Sequence, residues 1–366
     1  MDPICKACLA LSGASLLCLI GCWIAGYPAG CRASAVACMP LLAVGLGALP
    51  ALRGYRFTAW IIAAVVAAMV YPQSFLKVGS LDLRNPTLIL LVIQLVMFGM
   101  GTQMNLRDFW GVLQMPKAVI VGTAAQFTIM PLVGFALARA LNFPPEIGAG
   151  IILIGSCSSG LASNVMNYIA GANLALSVTL VAFAQLLAPV MTPLWMTVLV
   201  GQDVEVRFLQ MMKEIVLMVV LPIFAALIWN EIRRDRLRRV QALMPVLSMA
   251  GIIYFTAVTT AAGRDHLLQI GPLLFAAAVL HNTAGYLLGY GAGRLFGLDR
   301  DSCRTIAIEV GLQNGGMASG LAGRMGKLAT MGLAAAIFSP WMNVSGSVLA
   351  NYWRRRKARE ASIADG

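Results

Sequence analysis

The chain has 366 residues, 59% of them hydrophobic and 11% charged, with a mean hydropathy of +0.81. Such a composition excludes a soluble domain and describes a polytopic membrane protein, built from apolar spans of about 20 residues. The net charge of +12 is therefore no nucleic-acid footprint, because basic residues of membrane proteins collect in cytoplasmic loops.

At the N-terminus, residues 8–27 and 34–51 form two apolar runs rich in Gly, Ala and Cys, with Arg32 between them and Arg53 and Arg56 after them. Residues 1–56 read as an extra apolar hairpin ahead of the main body. The alternative is a signal peptide over 1–22, where Leu19-Ile20-Gly21-Cys22 loosely resembles a lipoprotein cleavage box, though Lys6 alone is a poor basic n-region. Six of the eight cysteines precede residue 40, leaving Cys157 and Cys303. Cys5 and Cys8 have metal-ligand spacing, but neither a histidine nor a second such pair accompanies them, so small apolar packing residues are expected.

The body starts near Phe57 and continues to Trp353. Apolar runs at about 57–76, 86–104, 118–138, 147–170, 173–199 and 211–231 precede a loop carrying Arg233, Arg234, Arg236, Arg238 and Arg239. Four more follow at about 241–262, 269–293, 304–323 and 329–351, and the tail 354–366 opens with Arg354, Arg355, Arg356 and Lys357. Ten helices are expected, with both basic clusters, and hence the C-terminus, on the cytoplasmic side.

Two of these spans are interrupted by polar residues and glycine. The fourth holds Gly155-Ser156-Cys157-Ser158-Ser159-Gly160-Leu161-Ala162-Ser163-Asn164, and the ninth holds Glu309-Val310-Gly311-Leu312-Gln313-Asn314-Gly315-Gly316. An ionised group at mid-membrane costs about 2.5–3.5 kcal/mol on the lenient insertion scale and marks an ion path by default. Paired glycines weaken a helix there and free backbone carbonyls. A cation would satisfy both, although a buried Glu309 held by amides in a structural kink remains the plain alternative. The breaks at Ser158 and Gly315 are 157 residues apart, and the same shift carries Phe57 onto Glu214, where the sixth helix begins. Matching broken helices in two halves point to a secondary transporter of two five-helix repeats, about 57–200 and 211–352, the second inverted because five is odd. At such a crossing, half-helix N-termini suit an anion, while carbonyls and side-chain oxygens suit a hard cation. Gln126 offers another such oxygen, or a plain bond between helices, and Ser177 offers one unless it bonds its own helix.

These motifs resemble the bile acid:sodium symporter family. The segments that carry the resemblance are Met97-Phe98-Gly99-Met100-Gly101, Ala125-Gln126-Phe127, Ala162-Ser163-Asn164-Val165, Ala175-Leu176-Ser177-Val178, Leu280-His281-Asn282, Glu309 to Asn314 and Asn343-Val344-Ser345. The resemblance covers about residues 57–353. It implies an all-α fold with a panel and a core domain and two crossed discontinuous helices. It also implies two sodium sites, one from Ser163, Asn164, Ser177 and Glu309, the other from Gln126, Glu309, Val310, Leu312 and Gln313. Val310 and Leu312 would give backbone carbonyls. Substrate would lie by Asn314, Asn343 and Leu161. The implied activity is symport of an organic anion, bile-acid-like or a small carboxylate, with sodium as coupling ion and no cofactor. The setting would be a bacterial inner membrane, and the protein a monomer that is no enzyme.

The chain also departs from the family pattern. Val181 stands where a threonine hydroxyl is usual, so the first site loses an oxygen unless Thr179 or water replaces it. Cys157-Ser158-Ser159-Gly160-Leu161 replaces a common Cys-Pro-Gly-Gly-Thr, and Met342 replaces a histidine found in some bacterial relatives. The missing oxygen favours the alternative, a proton-coupled or efflux carrier of the same architecture such as an oxyanion exporter, for which Cys157 would be a soft ligand. His281 is expected to be a hydrogen-bonded packing residue. Glu146 and the pair Lys213-Glu214 are expected to reach the interface from span ends.

Overall fold

The computed structural model describes residues 3–49, 56–201, 204–232 and 237–364, so Arg233, Arg234 and Arg236 of the first basic cluster lie outside the described residues. Helix dominates: the sheet among the described residues is one hairpin of β1 (Lys77–Val78) and β2 (Leu81–Asp82).

Helices α1 (Pro3–Ile24) and α2 (Pro28–Gly45) form the expected N-terminal hairpin, turned at Gly26, whose φ of 66° suits a residue without Cβ. Cys5 and Cys38 are buried, and Ser12 donates to the Cys38 carbonyl at 3.1 Å, so these cysteines pack as small residues between the two helices. α2 rests on α3 (Arg56–Val70), the first helix of the body.

Short α4 (Pro72–Leu76) and the β-hairpin lead to α5 (Pro86–Gly101), whose Asn85 cap accepts from Thr87 N and Leu88 N. The chain then bends by 63° into amphipathic α6 (Leu106–Gln114), which presents Leu106, Trp110 and Leu113 outward. Its Gly111 lies so close to Thr179 that a Cβ there would sit 2.2 Å from the hydroxyl. α7 (Pro116–Ala140) follows. Next come α8 (Pro145–Ser156) and α9 (Leu161–Ala170), mutually bent by 56°, then α10 (Leu174–Val200). α11 (Phe208–Ile215) passes through a π-helical turn, Val216–Val220, into α12 (Leu221–Ile232). α13 (Leu237–Ala262), α14 (Arg264–Leu295), the broken pair α15 (Arg300–Gly311) and α16 (Gly315–Arg324), and α17 (Gly332–Ala364) complete the chain.

Among the described residues seven helices are long and apolar enough to cross a membrane, or nine if each bent pair is one span. That is fewer than the sequence suggests, for local reasons. α3 is 15 residues long, the apolar part of α13 is confined to Val246–Ala262, and α15 carries Arg300, Asp301 and Arg304. Ile120, Ile228, Leu287 and Leu295 are more than half exposed, which suits a surface covered by lipid. The protein is a multi-pass membrane protein.

Two packing groups position the breaks. α13 packs on α3 and α5, and α5 on α12; α7 to α10 contact α14 to α17, and α16 also packs on α5 and α13. α8 is buried on every side from Ile147 to Ser156, which fits a helix apolar all round at the centre of the second group. Fully buried Ile151, Leu153 and Phe338 fill that centre.

Candidate functional site: a carboxylate where two helix breaks meet

Both spans break where the sequence places polar residues and glycine. α8 stops at Ser156 and the chain runs extended through Cys157 (φ −76°, ψ 152°) to Gly160 (φ −136°, ψ −173°) before α9. α15 stops at Gly311, and Leu312 is extended (φ −106°, ψ 108°) before Asn314 caps α16 by accepting from Met317 N at 3.0 Å. The breaks touch directly: Asn314 N donates to Ser158 O at 2.9 Å. Gly315 lets the second break also lie close against α17, because a Cβ there would fall 1.8 Å from Ser339 Oγ.

Carbonyls released by a broken helix inside a membrane need other donors. In the first break Thr192 serves Ser156 O at 2.7 Å, Gln126 serves Cys157 O at 3.1 Å and Gln185 serves Ser159 O at 3.0 Å. In the second, Gln313 Nε2 serves Val310 O at 2.6 Å and Asn282 serves Gly311 O at 2.8 Å. Asn282 is itself held by Ser345 at 2.5 Å. Side chains on α7, α10, α14 and α17 thus fix two segments that cannot fix themselves.

Glu309 lies against the first break and is 2% exposed. Its Oε2 accepts from Ser159 Oγ at 2.5 Å and Ser163 Oγ at 2.9 Å; its Oε1 accepts from Ser177 Oγ at 2.6 Å and Asn167 Nδ2 at 3.0 Å. All four partners are neutral. The charge is thus well hydrogen-bonded and has no cationic partner in its clutch, an arrangement that a small cation would complete.

Of the residues expected at the first cation site, Ser163 and Ser177 bond Glu309 directly, and Asn164 Oδ1 accepts from Ser177 at 2.6 Å. Ser177 therefore bonds across helices rather than only to its own. Thr179 is not a substitute for the hydroxyl missing at Val181: it turns to Asp108 O at 3.1 Å and Ala175 O at 2.9 Å, docking α6. At the second expected site, Gln126 Nε2 donates to Gln313 Oε1 at 2.7 Å, joining the two breaks, so Gln126 reaches Gln313 and Cys157 rather than Glu309. Val310 O is occupied by Gln313, and Leu312 is buried against Gly346. Gln126 Oε1 and Asn167 Oδ1 are buried acceptors without a hydrogen-bond donor. Asn167 Oδ1 belongs to the carboxamide that bonds Glu309, and Gln126 Oε1 to the one that bonds Gln313; such free oxygens suit a hard cation, so the residues present fit sodium.

Sequence reading missed Ser159 and Asn167. Asn167 lies four residues after Ser163, so the two share a face of α9, and that spacing was the available signal. Ser159 sits in the irregular segment, where no periodicity tells which way a side chain points.

Asn314 lies against the first break: its carboxamide is 3.7 Å from where a Cβ on Gly160, the residue before Leu161, would be, and its Nδ2 faces Met97 Sδ at 4.0 Å. Asn343 turns its amide to Ser339 O of its own helix at 2.9 Å, while the neighbouring Met342 accepts Gln313 N on its sulfur at 3.3 Å. His281 packs as expected, its Nε2 at 3.1 Å from Met130 O and its ring against Phe338. Cys157 is buried, and no group of three or more His, Cys, Asp or Glu among the described residues could hold a metal. Glu146 and Glu214 do not reach outward from span ends. Glu214 on α11 takes a bidentate pair from Arg324 of α16, at 2.7 and 2.8 Å, and Glu146 on α8 pairs with Lys327 and accepts from Thr330 at 2.6 Å. These pairs line a cavity of about 440 Å³ with Glu205, Arg207 and Gln210. Long side chains at span ends find charged partners when another helix end comes within reach.

Residues 90–270 match the model of the sodium bile acid symporter family. The chain is 38% identical over 304 residues to an uncharacterised sodium-dependent transporter, YocS, of Bacillus subtilis, covering 83% of this chain and 92% of that protein. It is 30% identical to the probable chloroplastic sodium/metabolite cotransporter BASS1 of Arabidopsis thaliana, over 91% of this chain and 85% of that protein. It is 29% identical to the human ileal sodium/bile acid cotransporter, over 68% of this chain and 72% of that protein.

Proposed function

The chain belongs to the sodium bile acid symporter family, and on that premise we propose that it is a sodium-coupled symporter of an organic anion, bile-acid-like or a small carboxylate, working by alternating access in a bacterial inner membrane. The family consists of transporters, so the activity is transport rather than catalysis. The observation that carries the reading is Glu309: a carboxylate 2% exposed, held by four neutral donors where two helix breaks meet. Gln126 Oε1 and Asn167 Oδ1 add acceptors that a coupling ion would use.

In this reading Ser163, Asn164, Ser177 and Glu309 hold one sodium ion. Gln126, Gln313 and the carbonyls of Val310 and Leu312 hold a second, after Gln313 releases Val310 O. Each hydroxyl has one proton to donate and two lone pairs, so it can bond an acceptor and still offer its oxygen to the ion. The anion lies by Asn314, Asn343 and Leu161, near the N-termini of α9 and α16, whose helix dipoles favour negative charge. Sodium neutralises Glu309 and orders the crossing, which raises affinity for the anion; by linkage the anion raises affinity for sodium to the same degree.

Alternating access follows as rigid-body movement of a core, α7 to α10 and α14 to α17, against a panel of α3, α5, α12 and α13. One face of that boundary is shut. The Arg324–Glu214 pair spans it, and Gly320 and Gly323 of α16 press on Ile93 and Ile89 of α5. With a cytoplasmic C-terminus, this shut face is the outer one. Two sodium ions entering with a monoanion carry one net positive charge, worth about 2.3 kcal/mol per 100 mV.

The test is sodium-gradient uptake of bile salts and small carboxylates into proteoliposomes, beside a NaCl titration of the purified protein's thermal midpoint at constant ionic strength in choline chloride. Sodium-specific stabilisation and sodium-driven, voltage-sensitive uptake are expected. Equal stabilisation by choline, or uptake driven by a proton gradient without sodium, would overturn the assignment.

A further inference from the structure

We propose that Ser159 is a sodium ligand, supplying to the first cation site the oxygen that Val181 cannot; this rests on the sodium-coupled reading above. Ser159 lies in the extended stretch between α8 and α9, is 1% exposed, and makes the shortest bond to Glu309, 2.5 Å to Oε2. A hydroxyl has one proton and two lone pairs. The Ser159 proton goes to the carboxylate, and its two lone pairs take no other hydrogen bond among the described residues.

The other hydroxyls there are busier. Ser163 Oγ also lies 2.7 Å from Gly160 O, and Ser177 Oγ also lies 2.6 Å from Asn164 Oδ1 while accepting from Asn167 at 2.9 Å. Ser159 is the one hydroxyl whose bonding is spent on Glu309 alone. Its backbone is pinned because Gln185 holds its carbonyl at 3.0 Å, so the side chain cannot drift when an ion arrives.

The need for this oxygen comes from α10. Val181 follows Ser177 by four residues, so it lies on the same face, one turn on, and it is fully buried without an oxygen to offer. Thr179 is committed to α6. A hard cation requires six or so oxygens in all, and the break provides what the helix lacks.

The test uses the full chain, purified, with the sodium concentration that gives half-maximal thermal stabilisation as readout, at constant ionic strength in choline chloride. Ser159→Ala is expected to raise that concentration at least tenfold. Ser159→Cys is expected to do the same, because a thiol keeps a donor and the bulk but is a poor ligand for a hard cation, whereas Ser159→Thr keeps the wild-type value. Val181→Thr in the Ser159→Ala background is expected to bring it back to within about threefold, since valine and threonine share a shape. The midpoint in choline alone reports folding separately. An unchanged sodium requirement in Ser159→Ala, or a loss that Val181→Thr leaves unrepaired, overturns the proposal. If the wild type shows no sodium-specific shift, or Glu309→Gln retains it, the sodium reading itself fails and takes this inference with it.

Discussion

Replacing Glu309 with glutamine keeps its volume and removes its charge, and the surrounding bonds indicate what each change does. For folding, the four donors have other partners in three cases. Ser163 can use Gly160 O, Ser177 can use Asn164 Oδ1, and Asn167 already reaches Ser177. Only Ser159 depends wholly on Glu309, and an orphaned buried donor costs about 1–3 kcal/mol. The amide oxygen of glutamine can still accept that bond, and a buried charge disappears, so the protein should stay folded. For the ion, a full charge at ~4 Å in an effective dielectric constant of ~20 interacts with about 4 kcal/mol, which corresponds to about a thousandfold in Kd. We therefore expect Glu309→Gln to fold with a midpoint in choline close to wild type, while its sodium-dependent shift disappears at any concentration that stabilises the parent. Retention of the shift would refute the reasoning, because among the described residues Glu309 is the one carboxylate hydrogen-bonded at this crossing.

Further expectations concern the surroundings of the site. Arg324→Gln or Glu214→Gln should weaken closure of the shut face. The pair is about one-fifth exposed on each side, so the effect should be near the upper end for a surface ion pair, about 1 kcal/mol. It would appear as roughly fivefold faster alkylation of a cysteine placed at buried Ile93. Gly323→Val should act in the same direction by overpacking: its Cβ would already lie 2.8 Å from Ile89 Cδ1, so about 1–3 kcal/mol should disfavour the shut face and lower the thermal midpoint. Thr179→Val should cost about 1 kcal/mol by loosening α6 and leave the sodium requirement unchanged, which separates it from Ser159. Cys157→Ala should leave sodium binding intact, since the Cys157 carbonyl, not its thiol, meets Gln126.

The sequence by itself determined the class of this protein: long apolar runs and a shortage of charge describe a membrane-embedded helical chain, and an acid among apolar residues marks the candidate site. It also located both helix breaks, because glycines clustered with polar side chains weaken a helix at those points. Those are local properties, written in composition and spacing. Tertiary structure alone decided which side chains face the acid. Ser159 turns toward Glu309 from an irregular segment, where no helical spacing fixes a direction. It also turned Glu146 and Glu214 from span-end residues into partners of Lys327 and Arg324, more than a hundred residues away. Direction in an extended segment, and partnership across distant helix ends, depend on how the helices cross, and no pattern along the chain encodes that.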